Sequence, residues 1–106
     1  MTAGAKSLDH LQELCSLLQG LGTQGILLES QQYDASAFGS FIVVLARGRE
    51  KAEFIWDGED SLLTVEYLKP ANSGDPGSWK HDAYIQVPER RAVLAEIGSN
   101  AVAMLL

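Results

Sequence analysis

Nucleophilic or acid–base chemistry in this chain would have to draw on two histidines, His10 and His81, and one cysteine, Cys15. Cys15 falls between Leu11 and Leu18 on an apolar helical stripe, so the residue reads as a small buried hydrophobe rather than a thiol activated by His10. His81 sits in the polar and aromatic run Trp79-Lys80-His81-Asp82. Adjacent strand residues face opposite sides, so Asp82 is badly placed to orient His81 as a general base. Neither a zinc nor an EF-hand calcium ligand spacing occurs, and no metal or other cofactor is expected. The glycines of Gly20-Leu21-Gly22-Thr23-Gln24-Gly25 follow a helix and open a strand. A phosphate-binding loop has the reverse order, so this segment reads as a helix end and a turn. An enzyme built on His81 is therefore the weaker reading, and a non-catalytic role is expected.

Composition narrows the classes further. In 106 residues, 46% are hydrophobic and 21% charged, which suits one globular domain spanning residues 1–106. At this size the chain buries somewhat over ~60% of its extended surface without needing a staple, and the single cysteine excludes an internal disulfide. Fourteen acidic residues against eight basic ones leave a net charge of −6. Counterion release from a phosphate backbone then supplies no affinity, and nucleic acid is not an expected partner. The longest apolar run, Phe41 to Ala46, is far short of the ~20 residues that span a bilayer as a helix, and no signal-peptide core is visible. A cytoplasmic protein with no membrane association is the expectation.

The elements that would carry any site follow from periodicity. Leu8, Leu11, Leu14, Cys15, Leu18 and Leu21 recur at helical steps and predict a helix over residues 7–20, with Ser7 as N-cap, Asp9 in the first turn, and Gly20 and Gly22 as stops. From Gly25 the period becomes two. Strands are predicted over residues 26–33, 38–47, 51–56 and 62–68, joined by short polar turns, with a fifth over residues 81–87 after a long loop, residues 69–80. Phe41-Ile42-Val43-Val44-Leu45 is apolar on both faces, as in a central strand covered on both sides or covered on one by a partner. Phe54 and Trp56 share a face with Leu63 and Val65, while Ile55, Leu62 and Leu68 leave the reverse face partly apolar. Pro88 and Glu89 open a second predicted helix, residues 89–97, which Gly98-Ser99-Asn100 should break. The apolar end, residues 101–106, fits either a helical continuation or a last strand. The fold class is α+β: an antiparallel four- to five-stranded β-meander with the N-terminal and C-terminal helices packed on one face.

Charge layout points to a function class. Alternate turns of a meander lie at opposite ends of the sheet. Asp34 and the turn Asp57-Gly58-Glu59-Asp60 therefore share one end with Tyr33 and Trp56, and Arg47, Arg49, Glu50, Lys51 and Lys69 gather at the other. The acidic end can receive and steer a basic protein surface through Asp34, Asp57, Glu59 and Asp60. Trp79, an aromatic in a Pro/Gly-rich loop, is a second candidate anchor. In size, acidity and α+β character the chain resembles the small immunity proteins that bacteria pair with polymorphic toxins. That resemblance implies an inhibitory module that covers a basic toxin domain. The other class that remains is a homo-oligomeric structural or small-ligand-binding domain, in which the two-sided apolar strand meets a symmetry mate.

Overall fold

The structure, a computed structural model, describes residues 3–34, 36–72, 74–89 and 92–106, with side chains of the first helix described from Gln12 onward. Seven elements follow in the order α1 (Ala3–Gly22), β1 (Leu27–Asp34), β2 (Ser40–Arg47), β3 (Glu50–Asp57), β4 (Leu62–Leu68), β5 (Lys80–Gln86) and α2 (Val93–Leu105). The strands form one sheet in sequence order, every neighbouring pair antiparallel. The α+β class and the meander are thus as the periodicity predicts, and the fifth strand is present.

Register decides which residues meet. Phe41 pairs with Trp56, Val43 with Phe54 and Leu45 with Ala52. Phe54 in turn pairs with Val65, and Trp56 with Leu63. These side chains are all buried and belong to one core, which also takes in Leu14 and Leu21 of α1 and Val93, Ile97, Ala101 and Leu105 of α2. The alternate set, with Ile42, Ile55 and Leu62, is only partly buried and lies on the other side of the pleat. Val44 belongs to that set and is nonetheless buried. β2 lies second in the sheet and β3 is the middle strand.

Four expectations about local structure are corrected. The first helix starts at Ala3 rather than residue 7, so Ser7 and Asp9 lie inside it. Ala3, Ala5 and Lys6 are good helix formers, and nothing at Ser7 halts them. The side-chain contacts expected of Leu8, Asp9, His10 and Leu11 lie outside the described residues. Cys15 is exposed, not buried. The stripe that reaches the core runs through Leu14 and Leu21 with Leu17 and Leu18 packed beside them, which turns Cys15 about 100° off it.

At the other terminus α2 begins at Val93, not at Glu89, and it runs unbroken through Gly98, Ser99 and Asn100 to Leu105. The reason is tertiary. A Cβ on Gly98 would lie 2.8 Å from Leu17 Cδ1, so the glycine is where α2 crosses close over α1. Asn100 joins the helix by donating from Nδ2 to the Glu96 carbonyl at 2.8 Å. At its end, Arg47 Nη1 donates to the Leu105 carbonyl at 3.3 Å, placing a cation at the negative end of the helix dipole.

Candidate functional site

The acidic end is built by two turns that interlock. β1 finishes at Asp34, whose Oδ1 accepts from Ser36 Oγ at 2.6 Å and Ser36 N at 3.0 Å. The Ser36 hydroxyl and amide, with a lesser contribution from the Ala37 amide, hold the Asp34 carboxyl below the usual aspartate range against the opposing effect of burial. The chain then turns through Phe38 and Gly39, at φ +58° and +72°, before β2 starts at Ser40. Phe38, predicted to begin a strand, instead stands in a left-handed turn, 65% exposed.

Ser40 joins this turn to its neighbour. Its Oγ donates to the Ala37 carbonyl at 2.6 Å and accepts from Gly58 N at 3.0 Å. Gly58 approaches so closely that a Cβ there would fall 2.0 Å from the Phe38 carbonyl oxygen, a position open to glycine alone. On the β3–β4 side, Asp57 Oδ1 accepts from Glu59 N at 3.0 Å and Asp60 N at 3.3 Å. Gln86 Nε2 then donates to the Asp60 and Ser61 carbonyls at 2.7 and 3.0 Å, tying the turn to β5.

Between the two turns lies an open cavity of about 850 Å³. Asp34, Asp57 and Glu59 contribute to its wall, with Phe38 and with Ile42 and Ile55 of the sheet face away from the core. Trp56 has its side chain in the core, 2% exposed, and its indole Nε1 has no hydrogen-bond partner among the described residues. Three of the acids singled out in the sequence therefore surround one cavity, and Asp60 lies in the same turn without lining it. Carboxylates gathered around one cavity are chemistry suited to a cation.

Trp79 is not part of this assembly. It precedes β5 at the far end of the sheet, about 20 Å away along a seven-residue strand, and is 43% exposed. The loop before it is ordered by Asp75, which accepts from Ala71 N and Gly77 N at 2.8 and 2.9 Å. Arg49 spans the same loop, donating to the Asn72 and Asp75 carbonyls at 2.7 and 2.6 Å. Much of the basic end is thus committed to holding its own backbone, whereas the acidic end opens on a cavity.

Two groups missed in the sequence also bear on function. Phe38 was hidden because Phe-Ile-Val-Val-Leu downstream extends an apolar run backwards over it; the following Gly39 was the signal that a turn still occupied that position. Glu53 and Glu66 stand opposite each other across β3 and β4, on the face away from the core. Closing the β3–β4 turn between Asp57 and Leu62 would have predicted that pairing. His81 pairs in turn with Glu66, and its ring packs against Tyr84 with centroids 4.0 Å apart. Asp82 sits at the irregularity in that pairing and is exposed. Among the described residues no group of three or more His, Cys, Asp or Glu side chains could hold a metal ion, and no helix is long and apolar enough to cross a membrane.

Comparison with protein-family models, with curated proteins and with solved structures returns no match for this chain.

Proposed function

We propose that this chain is a protein-binding module that receives a basic partner at the acidic end of its sheet. The role is the one an immunity protein plays toward a toxin domain, acting in the cytoplasm without a cofactor, a catalytic step or nucleic acid. The observation that carries the reading is the cavity between the β1–β2 and β3–β4 turns, which Asp34, Asp57 and Glu59 from two separate turns line together with Phe38. A net charge of −6 adds a field that draws a basic surface toward that end. Clustered charge of this kind raises the rate of encounter and rejects like-charged surfaces, as a dedicated inhibitor requires.

The test is capture of partners by the tagged chain from its own cells at low and high salt, beside a variant carrying Asp57→Asn, Glu59→Gln and Asp60→Asn. One basic protein, released by salt and lost with the triple change, is the expected result. A partner that survives both treatments would remove the acidic end from the binding surface.

A second reading, self-association, draws on Ile42, Val44, Ile55, Leu62 and Leu68, an apolar set on the sheet face away from the core. The Glu53–Glu66 pair in the middle of that set works against it, because a two-fold contact would bring four carboxylates together. Sedimentation at micromolar concentration separates the two: a monomer favours the basic-partner reading, a concentration-independent dimer the other.

A further inference from the structure

We propose that the cavity between the β4–β5 loop and the strand ends it joins is a phosphate site, in which Lys69, Lys80 and Ser78 hold the dianion, free or as the head of a small phosphomonoester. The site lies at the opposite end of the sheet from the acidic cavity and goes beyond the partner reading.

Two basic side chains at this end are left over from the structural work of the others. Arg47 and Arg49 donate to backbone carbonyls, and Lys51 pairs with Glu29 at 2.6 Å. The side chains of Lys69 and Lys80 make no hydrogen bond or ion pair among the described residues. Strand pairing nonetheless brings them together. Tyr67 of β4 pairs with Lys80 of β5, and the Lys69 Nζ stands 5.9 Å from the centre of the Tyr67 ring. Both lysines line one cavity of about 280 Å³ with Tyr67, Asp75 and Ser78. Ammonium groups gathered on one cavity repel each other until an anion joins them.

Asp75 does not fill that role. Its Oδ2 accepts from Ala71 N and its Oδ1 from Gly77 N, so the carboxylate is turned toward its own loop. The charges of Arg49 and Lys80 both act on it, and Arg49 donates to its carbonyl at 2.6 Å. Arg49, Lys69 and Lys80 thus gather about the single carboxylate that lines the cavity, leaving a positive surplus that a dianion matches. The net charge of −6 opposes a long polyanion but not this ligand. The acidic end is about 20 Å away along β5, well beyond the ~8 Å over which charge acts at physiological salt.

Donor chemistry selects phosphate. A phosphomonoester carries about −1.5 to −2 charge at pH 7 and three acceptor oxygens, and two ammonium groups with a hydroxyl supply three donors. Lysine binds phosphate as a point charge and needs no planar fork to do so. A carboxylate offers two oxygens and a single charge. Size agrees. At about 280 Å³ the cavity falls just short of sites that enclose a whole small molecule, and it suits a head group. The rim is also fixed in advance. Gly77, at φ +78°, lets the loop press onto β4, where a Cβ would fall 2.9 Å from Leu68 Cδ2.

The experiment is a titration of the ¹⁵N-labelled chain with inorganic phosphate and with glycerol 3-phosphate at constant ionic strength. Trp79 lies between Ser78 and Lys80, so its indole N–H reports on the site, while that of Trp56, buried in the core, is the internal control. The Trp79 indole and the Ser78 and Lys80 amides are expected to move and saturate while the Trp56 indole stays still. Acetate is expected to bind at least about fivefold more weakly, and Lys69→Gln and Lys80→Gln each to weaken phosphate by a similar factor. Both lysines are exposed, so neither change threatens the fold. Lys51→Gln removes the same charge from the same end outside the cavity and should leave the affinity unchanged.

No saturable shift at millimolar phosphate overturns the proposal, as does acetate binding as well as phosphate. Equal weakening by Lys51→Gln overturns it too, because a diffuse field rather than a site would then attract the anion. Tighter binding of glycerol 3-phosphate assigns the site to a phosphomonoester and equal affinity assigns it to free phosphate; both uphold the phosphate site.

Discussion

Glu53 and Glu66 face each other across β3 and β4 on the side of the sheet away from the core. Partial burial, then the Glu66 charge and a hydrogen bond between the two side chains, raise the Glu53 carboxyl above the usual glutamate range. A folded-state pKa raised above the unfolded one contributes stability that is present below the ordinary glutamate range and lost as pH rises through the raised value. Above that range, burial and the neighbouring Glu66 charge work against the charged form of Glu53. Glu53→Gln should therefore stabilise the chain at pH 7 by roughly 0.5 kcal/mol. The gain should vanish toward acid pH, where the wild-type side chain is itself neutral. Urea denaturation of both proteins across that range measures it; a gain that grows on acidification would contradict the assignment.

Gly58 and Gly98 are both in close contact but differ in what gives way. At Gly58 a Cβ meets the Phe38 backbone carbonyl, which cannot move without breaking the interlocked turns. At Gly98 it meets the far end of the Leu17 side chain rather than backbone. Gly58→Ala should cost about 2 kcal/mol or more. Gly98→Ala should change stability by less than about 1 kcal/mol, since the better helix former offsets the displacement of Leu17. Thermal melts of the two variants should rank them in that order.

Asp75 organises the β4–β5 loop through the Ala71 and Gly77 amides, and those bonds hold its carboxyl below the usual aspartate range, helped by the nearby Arg49 and Lys80 charges. A depressed folded-state pKa contributes stability present above the ordinary aspartate range and lost as pH falls through the depressed value. Asp75→Ala should speed amide exchange at Ala71 and Gly77 at neutral pH while leaving β2 and β3 protected. Exchange that rises equally in the sheet would mean that the loop is not an independent unit.

Cys15 lies on the solvent side of α1. A thiol reagent should modify it fully in the folded protein without denaturant, and Cys15→Ser should leave the melting temperature nearly unchanged. Protection of the thiol until unfolding would place it back in the core.

Much of the fold is legible in the order of residues because it rests on local pattern. A period of two over residues 26–68 with short turns leaves an antiparallel meander as the economical arrangement, and alternate turns of a meander fall at the same end whatever the detailed register. That is why Asp34, Asp57, Glu59 and Asp60 could be grouped before any coordinate was known.

Tertiary contact decided the rest. Gly98 reads as a helix breaker until Leu17 is packed against it, because local propensity is worth about 1 kcal/mol and a close helix crossing outweighs it. Cys15 and Leu14 are adjacent in sequence, and only the direction from which the sheet approaches α1 settles that Leu14 is buried and Cys15 is not. The cavity is of the same kind. The sequence alone determined that acids would collect at one end of the sheet; that the end is concave, with Phe38 held out and Gly58 pressed against its carbonyl, was decided by the contact between two turns eighteen residues apart. Charge placement along a meander follows from strand order, but a cavity exists only where packed surfaces fail to meet, and no single segment of chain encodes that.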